Sequence, residues 1–199
     1  MPKGTGMVLS LPKTTTLYWD SVPSPGGECI VMATEQGVCW LGTPGTPIDD
    51  GFLWLRRRMH FDRARQEKSV APLQVAVDEL ERYFAGERVN FSCALDMYGT
   101  PFQLSVWQEL CKIPYGEIRT YSDIARAIGR PEAVRAVGAA NGANPIAMIV
   151  PCHRVVASNG ALTGYGGGLP TKAWLLQLEG IQVAAEKQNL ATARVARLP

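Results

Sequence analysis

The stretch IVPCHRVV, residues 149–156, holds the residue types in this chain best suited to covalent chemistry. The chain has two histidines, and one of them, His153, directly follows Cys152 behind Pro151 in an apolar run. A cysteine attacks only as its thiolate, and a basic neighbour or a helix N-terminus raises the thiolate fraction. His153 cannot readily fold back onto its own neighbour, so it would act on Cys152 through a bridging water, with a carboxylate such as Glu179 holding one imidazole tautomer. The same apolar setting also suits a buried core thiol. Residue types alone therefore leave three readings open: an alkylatable or acylatable nucleophile, a core or redox-sensing thiol in a regulator, and a cysteine hydrolase that turns over many times.

The elements that must position these residues carry clear signals. TPFQLSVWQELCKI opens with Thr100 as N-cap, Pro101 at the first helical position and Gln103 placed to close a capping box, with Phe102, Val106, Leu110 and Ile113 as the buried stripe. A second capping box, Thr120 with Asp123, starts TYSDIARAIG, which Gly129 ends; Pro131 begins PEAVRAVGAANG. Two short helices about a tight glycine turn form a helix-turn-helix candidate, with Arg135 outward and Val134 and Val137 inward. The small residues Ala136, Gly138, Ala139 and Ala140 allow the second helix to approach another surface closely. Asn144 and Pro145 turn the chain into the run that ends at His153. VVASNGALTGY reads as a strand pair about SNG, GYGGG as a flexible loop, and LPTKAWLLQLEG as a last helix with Glu179 before its stop at Gly180.

The first half reads differently. TTTLYWDSV and ECIVMATEQGVCWLGT are strand-like, with EQG as a hairpin turn. GFLWLRRRMHF and PLQVAVDELERYFAG read as helices, the latter with Leu73, Val77, Leu80 and Phe84 on one face. NFSCALDMYG is a final strand or a connector.

Bulk properties narrow the class. A chain of 199 residues, 46% hydrophobic and 19% charged, can bury a core without a staple. No apolar run approaches a membrane span, and the N-terminus lacks a secretory pattern, so an intracellular, cytoplasmic protein without a membrane partner is expected. Five cysteines without CxxC spacing argue against a disulfide framework and a zinc ribbon. Residues 100–199 hold ten basic and six acidic residues against ten and twelve in residues 1–99, weak support for a polyanion partner of the second half.

RAVGAANGANPIAMIVPCHRVV, followed by GALTGYGGG and KAWLLQLEG, resembles the O6-alkylguanine-DNA alkyltransferases, the methylated-DNA–protein-cysteine methyltransferases of direct-reversal repair. The likeness runs from about Thr100 to Gly180. It implies an α+β chain: an N-terminal ribonuclease H-like α/β domain over 1–97, a mostly helical, winged helix-turn-helix-like DNA-binding and alkyl-transfer domain over 98–184, and a peripheral tail over 185–199. It also implies a stoichiometric, single-turnover methyltransferase that takes the alkyl group of O6-alkylguanine, with O4-alkylthymine as a further candidate, from double-stranded DNA bound through its minor groove. The protein would be a monomer and need no cofactor. A regulator, or a lesion-binding protein without transfer, stays as the alternative.

Matched position by position, the resemblance makes Cys152 the acceptor, His153 the water-mediated base, Glu179 its orienting carboxylate and Asn144 the support of the active-site turn. Arg135 would fill the gap left by the flipped base, with Ala136 and Gly138 on the DNA-facing helix. Tyr121 would crowd the neighbouring phosphate and hydrogen-bond the guanine. The pocket would comprise the carbonyls of Val155 and Cys152, with Tyr165 and the N–H of Gly166, where some members have serine. Some members carry an N-terminal zinc site; here Thr34 and Cys39 stand at the aligned hairpin positions, so no metal is expected.

Overall fold

A computed structural model describes residues 15–184 and 193–195. Strands β1 (Thr16–Ser24) and β2 (Gly27–Ala33) form an antiparallel hairpin, and β3 (Val38–Leu41) pairs with β2. Helix α1 spans Ile48–Arg56, five residues short of the expected end. The chain then forms a strand that the sequence reading had assigned to no element, β4 (Arg63–Gln66), parallel to β1. Its four residues, RARQ, are all exposed, so they show no alternation to reveal a strand. The sheet order is β3-β2-β1-β4, and α2 (Ala71–Phe84) packs on it through Leu73, Ala76, Val77, Leu80 and Tyr83. Phe84 is only half-buried; Tyr83 takes the inward place expected of it. NFSCALDMYG is a connector that touches the sheet at one bridge, Val38 to Leu95.

In the second half both capping boxes form. Thr100 caps α3 (Pro101–Leu110) and Thr120 caps α4 (Tyr121–Ala127), each closed by the side chain three residues on. Helix α5 (Val134–Gly142) begins three residues later than expected, after Gly129 turns the chain at φ +70°. The Trp107 indole of α3 donates to the Ala140 carbonyl at 2.8 Å, tying α5 to α3. A short parallel pair joins β5 (Arg119–Thr120) to β6 (Val155–Val156), which replaces the expected strand pair about SNG. That turn closes locally instead, Ala157 N–H to Ala161 O at 3.0 Å. Helix α6 (Gly168–Leu178) follows, then β7 (Val183–Ala184) paired with β8 (Arg194–Val195). Ala193 is fully buried and Val195 nearly so, against Leu162 and Leu176, so this part of the expected peripheral tail is core. The rest of that tail, 185–192 and 196–199, lies outside the described residues.

One core crosses the boundary at residue 97. Val31, Val38 and Leu41 of the sheet share a cluster with Ile146, Met148, Val150 and Cys152. The end of β3 bonds the active-site turn directly: Leu41 N–H donates to Pro145 O at 2.8 Å, and Ala147 N–H to Leu41 O at 3.1 Å. Met148 in that turn holds φ +66°, a left-handed conformation that bulky residues adopt only where their surroundings impose it. Among the described residues, no helix is long and apolar enough to cross a membrane.

Candidate active site

The C-terminal end of α5 and a 3-10 turn over Cys152–Arg154 build the cradle of the thiol. Asn144 Nδ2 lies 2.8 Å from Val150 O and 3.1 Å from Cys152 Sγ, while its Oδ1 accepts from Ile146 N–H at 3.0 Å. One amide therefore shapes the turn and faces the sulfur. Asn141 Nδ2 adds a bond to Cys152 O at 3.3 Å. Burial pushes the Cys152 thiol up; the Asn144 bond and the positive charge of Lys172 act the other way. Lys172 is itself fully buried, its Nζ donating to Val155 O at 2.5 Å and Thr163 O at 2.8 Å, and burial lowers it to about 8.

Glu179 caps the end of α6 inside the protein. Its Oε1 meets Tyr83 OH at 2.7 Å, His153 Nε2 at 2.8 Å and Arg154 Nη2 at 2.9 Å; its Oε2 meets Arg154 Nε at 2.8 Å and Gly116 N–H at 3.1 Å. Burial alone would raise this carboxyl, but His153 and Arg154 outweigh it and hold it down to about 2. An ionised Glu179 accepts, so His153 Nε2 carries the proton and donates. Burial lowers the imidazole below its ordinary range, which keeps it neutral and leaves Nδ1 with a free lone pair. Nδ1 is buried and has no partner among the described residues. His153 is thus a neutral base with one nitrogen fixed and the other available.

The sequences characteristic of known proteins match both halves. Residues 17–97 match the ribonuclease-like domain, and residues 101–181 the DNA-binding domain, of 6-O-methylguanine DNA methyltransferase. The inducible methylated-DNA–protein-cysteine methyltransferase of Bacillus subtilis is 44% identical over 164 residues, covering 82% of this chain and 90% of that protein. This chain belongs to the 6-O-methylguanine DNA methyltransferase family. The crystal structure of Mycobacterium tuberculosis O6-methylguanine methyltransferase superposes with a TM-score of 0.69 at 42% identity, over 82% of this chain and 92% of that one. A structure of the Mycobacterium tuberculosis protein in complex with DNA gives 0.66 at the same identity.

Some of the remaining expected residues line one cavity, and others lie on α4, α5 and β6. A cavity of about 240 Å³ is lined by Cys152, Asn144, Tyr165 and Gly166, among others. The Tyr165 hydroxyl is buried without a partner among the described residues. Gly166 is exposed, and a Cβ there would touch nothing, so its backbone does not demand glycine. The Val155 carbonyl, expected to read the base, already accepts from Lys172 and keeps its second lone pair. Tyr121 opens α4, half-buried, with its hydroxyl 3.2 Å from Thr163 O. Arg135 and Ala136 are exposed on the first turn of α5; Val137 points inward, and Gly138 lies toward the Tyr121 ring. Thr34 and Cys39 are engaged within the sheet, Thr34 Oγ1 to Asp96 at 2.6 Å and Cys39 Sγ to Met32 O at 3.4 Å.

Sequence reasoning missed Arg154, Asn141, Lys172 and Tyr83. Arg154 follows His153 within the same motif, and Lys172 is a charge on the inward face of an apolar helix, so both left a local signal. Tyr83 left none: it reaches Glu179 across 96 positions.

Proposed function

We propose that this protein repairs DNA by direct reversal, transferring the alkyl group of O6-alkylguanine once and irreversibly to Cys152. The observation that carries this is the Asn144–Cys152–His153–Glu179 arrangement: a nearly buried thiol on an amide cradle beside a neutral imidazole whose outer nitrogen is fixed by a buried carboxylate. His153 Nδ1 takes the thiol proton through a bridging water, and Arg154, Tyr83 and Gly116 hold Glu179 in place for it. The Cys152 thiolate then attacks the alkyl carbon in line. A C–S bond forms as the C–O6 bond breaks, its electron pair leaves with guanine, and a proton donor at the ring completes the base. Tyr121 supplies a hydrogen bond to the departing purine. A thioether remains, which no group in the site can hydrolyse, so each molecule acts once and needs no cofactor.

A buried thiol cannot reach a base inside a duplex, so the lesion must be extruded. The exposed Arg135 enters the vacated stack, and Ala136 and Gly138 let α5 lie close to the minor groove. Val155 and Cys152 carbonyls, Tyr165 and the Gly166 N–H then read the flipped base. The protein acts as a monomer on double-stranded DNA.

Incubation with a duplex carrying one O6-methylguanine tests this. Peptide mass analysis is expected to show one added methylene on the Cys152 peptide, saturating at one per molecule. Tight binding of the lesion without a mass change would make this a damage-recognition protein, and conversion of more than one lesion per molecule, with the alkyl group released as the alcohol, would make it a hydrolase.

A further inference from the structure

One side of the cavity beside Cys152 comes from the other half of the chain: Trp40, Thr43, Thr46 and Trp54. These residues belong to neither the helix pair nor the thiol cradle. Trp40 is buried, while Thr43, Thr46 and Trp54 are half-buried. Trp40 lies against Gly42 and Gly51, where added Cβ atoms would come within 2.6 and 2.8 Å of its ring. Thr43 and Thr46 share a hydroxyl hydrogen bond of 3.0 Å, and Thr43 stands where a Cβ on Gly167 would be only 2.8 Å away. The loop that carries Tyr165 and Gly166 is therefore seated on the N-terminal half. Trp54 is covered by Arg58, whose guanidinium carbon sits 3.8 Å from the ring centroid and whose Nη1 donates to Trp54 O at 3.1 Å. The end of β3, which leads into Thr43, also bonds the turn that carries Asn144.

In-line displacement puts sulfur and leaving oxygen on opposite sides of the reacting carbon. A methyl group carries only hydrogens to the side. Any larger O6 substituent must place its remaining atoms laterally, in the cavity and against this wall. About 240 Å³ is below the usual span of roughly 300–1,000 Å³ for ligand pockets, so extra lateral atoms would press on its lining. We propose that Trp54, with Thr43 and Thr46, is the specificity wall of the alkyl pocket, favouring methyl and other short O6-alkyl groups over arylmethyl groups. This rests on the alkyl-transfer reading above, and it gives the N-terminal half a direct part in substrate choice.

The test is a competition between two otherwise identical duplexes, one with O6-methylguanine and one with O6-benzylguanine, scored by methyl and benzyl adducts on the Cys152 peptide. Both lesions compete for the same molecules, so a poorly folded variant lowers both yields and leaves their ratio unchanged. Trp54→Ala is expected to raise the benzyl-to-methyl ratio about tenfold, in the range a few methylenes control in an apolar pocket. Thr46→Leu, which fills the space, should lower it. Leu53→Ala, on the same helix but 53% exposed, should leave it unchanged. Wild-type ratios in both Trp54→Ala and Thr46→Leu, with methyl transfer intact, would overturn the wall assignment alone. Absence of methyl transfer in the wild-type protein would overturn the alkyl-transfer reading on which it depends.

Discussion

Glu179→Gln tests the polar cluster behind Cys152. In the folded protein the carboxylate accepts from Tyr83, His153, Arg154 and Gly116, with no exposed side-chain surface. Its pKa falls from 4.5 to about 2 on folding, a difference equivalent to about 3 kcal/mol of stability. Breaking a buried ion pair by removing one partner costs about 3–5 kcal/mol, which agrees. Because the folded pKa is depressed, this stability is fully present above the unfolded value and disappears as pH falls through about 2. Urea unfolding of wild type and Glu179→Gln at matched pH isolates the cluster, since titrating groups remote from Glu179 cancel in the difference and only its partner His153 shifts with it. The variant should be less stable by about 3 kcal/mol at pH 7, and the gap should narrow by roughly 1 kcal/mol by pH 3.5. A gap below about 1 kcal/mol at pH 7, typical of an exposed pair, would refute the reasoning. So would a gap that stays constant with pH.

Four further outcomes are expected. Cys152→Ser should keep lesion-DNA affinity in a gel-shift titration and give no alkylated peptide. Asn144→Ala removes the amide that faces the sulfur, leaves Ile146 N–H unpaired and leaves Val150 O only its bond from Cys152 N–H; transfer should slow at least tenfold, roughly the rate equivalent of 1.4 kcal/mol, in a single-turnover assay. Lys172→Met removes a charge that favours the thiolate, so the pH–rate curve of transfer should move to higher pH, while in the wild type the rise with pH should flatten above about 8 as Lys172 loses its proton. Arg135→Ala should slow repair of O6-methylguanine in duplex more than reaction with the free base O6-methylguanine; equal losses on the two substrates would remove its role in base extrusion.

What the sequence determined by itself was local. Thr100 with Gln103 and Thr120 with Asp123 announce two helix starts because a capping box needs residues only three apart, and both boxes form. PCHRV and its flanks identify the family and the thiol because residues 144–154 form one turn, held by Asn144 within eight positions of Cys152. Tertiary structure decided the rest. Strand β4 has no buried face to pattern its sequence, and β6 pairs with β5 from 36 positions away rather than with its neighbour. Tyr83 reaches the site through the core that both halves share, and the Trp40–Trp54 wall comes to it from a second hydrophobic cluster. Such contacts depend on how separate elements bury their apolar faces together, and no spacing along the chain encodes that.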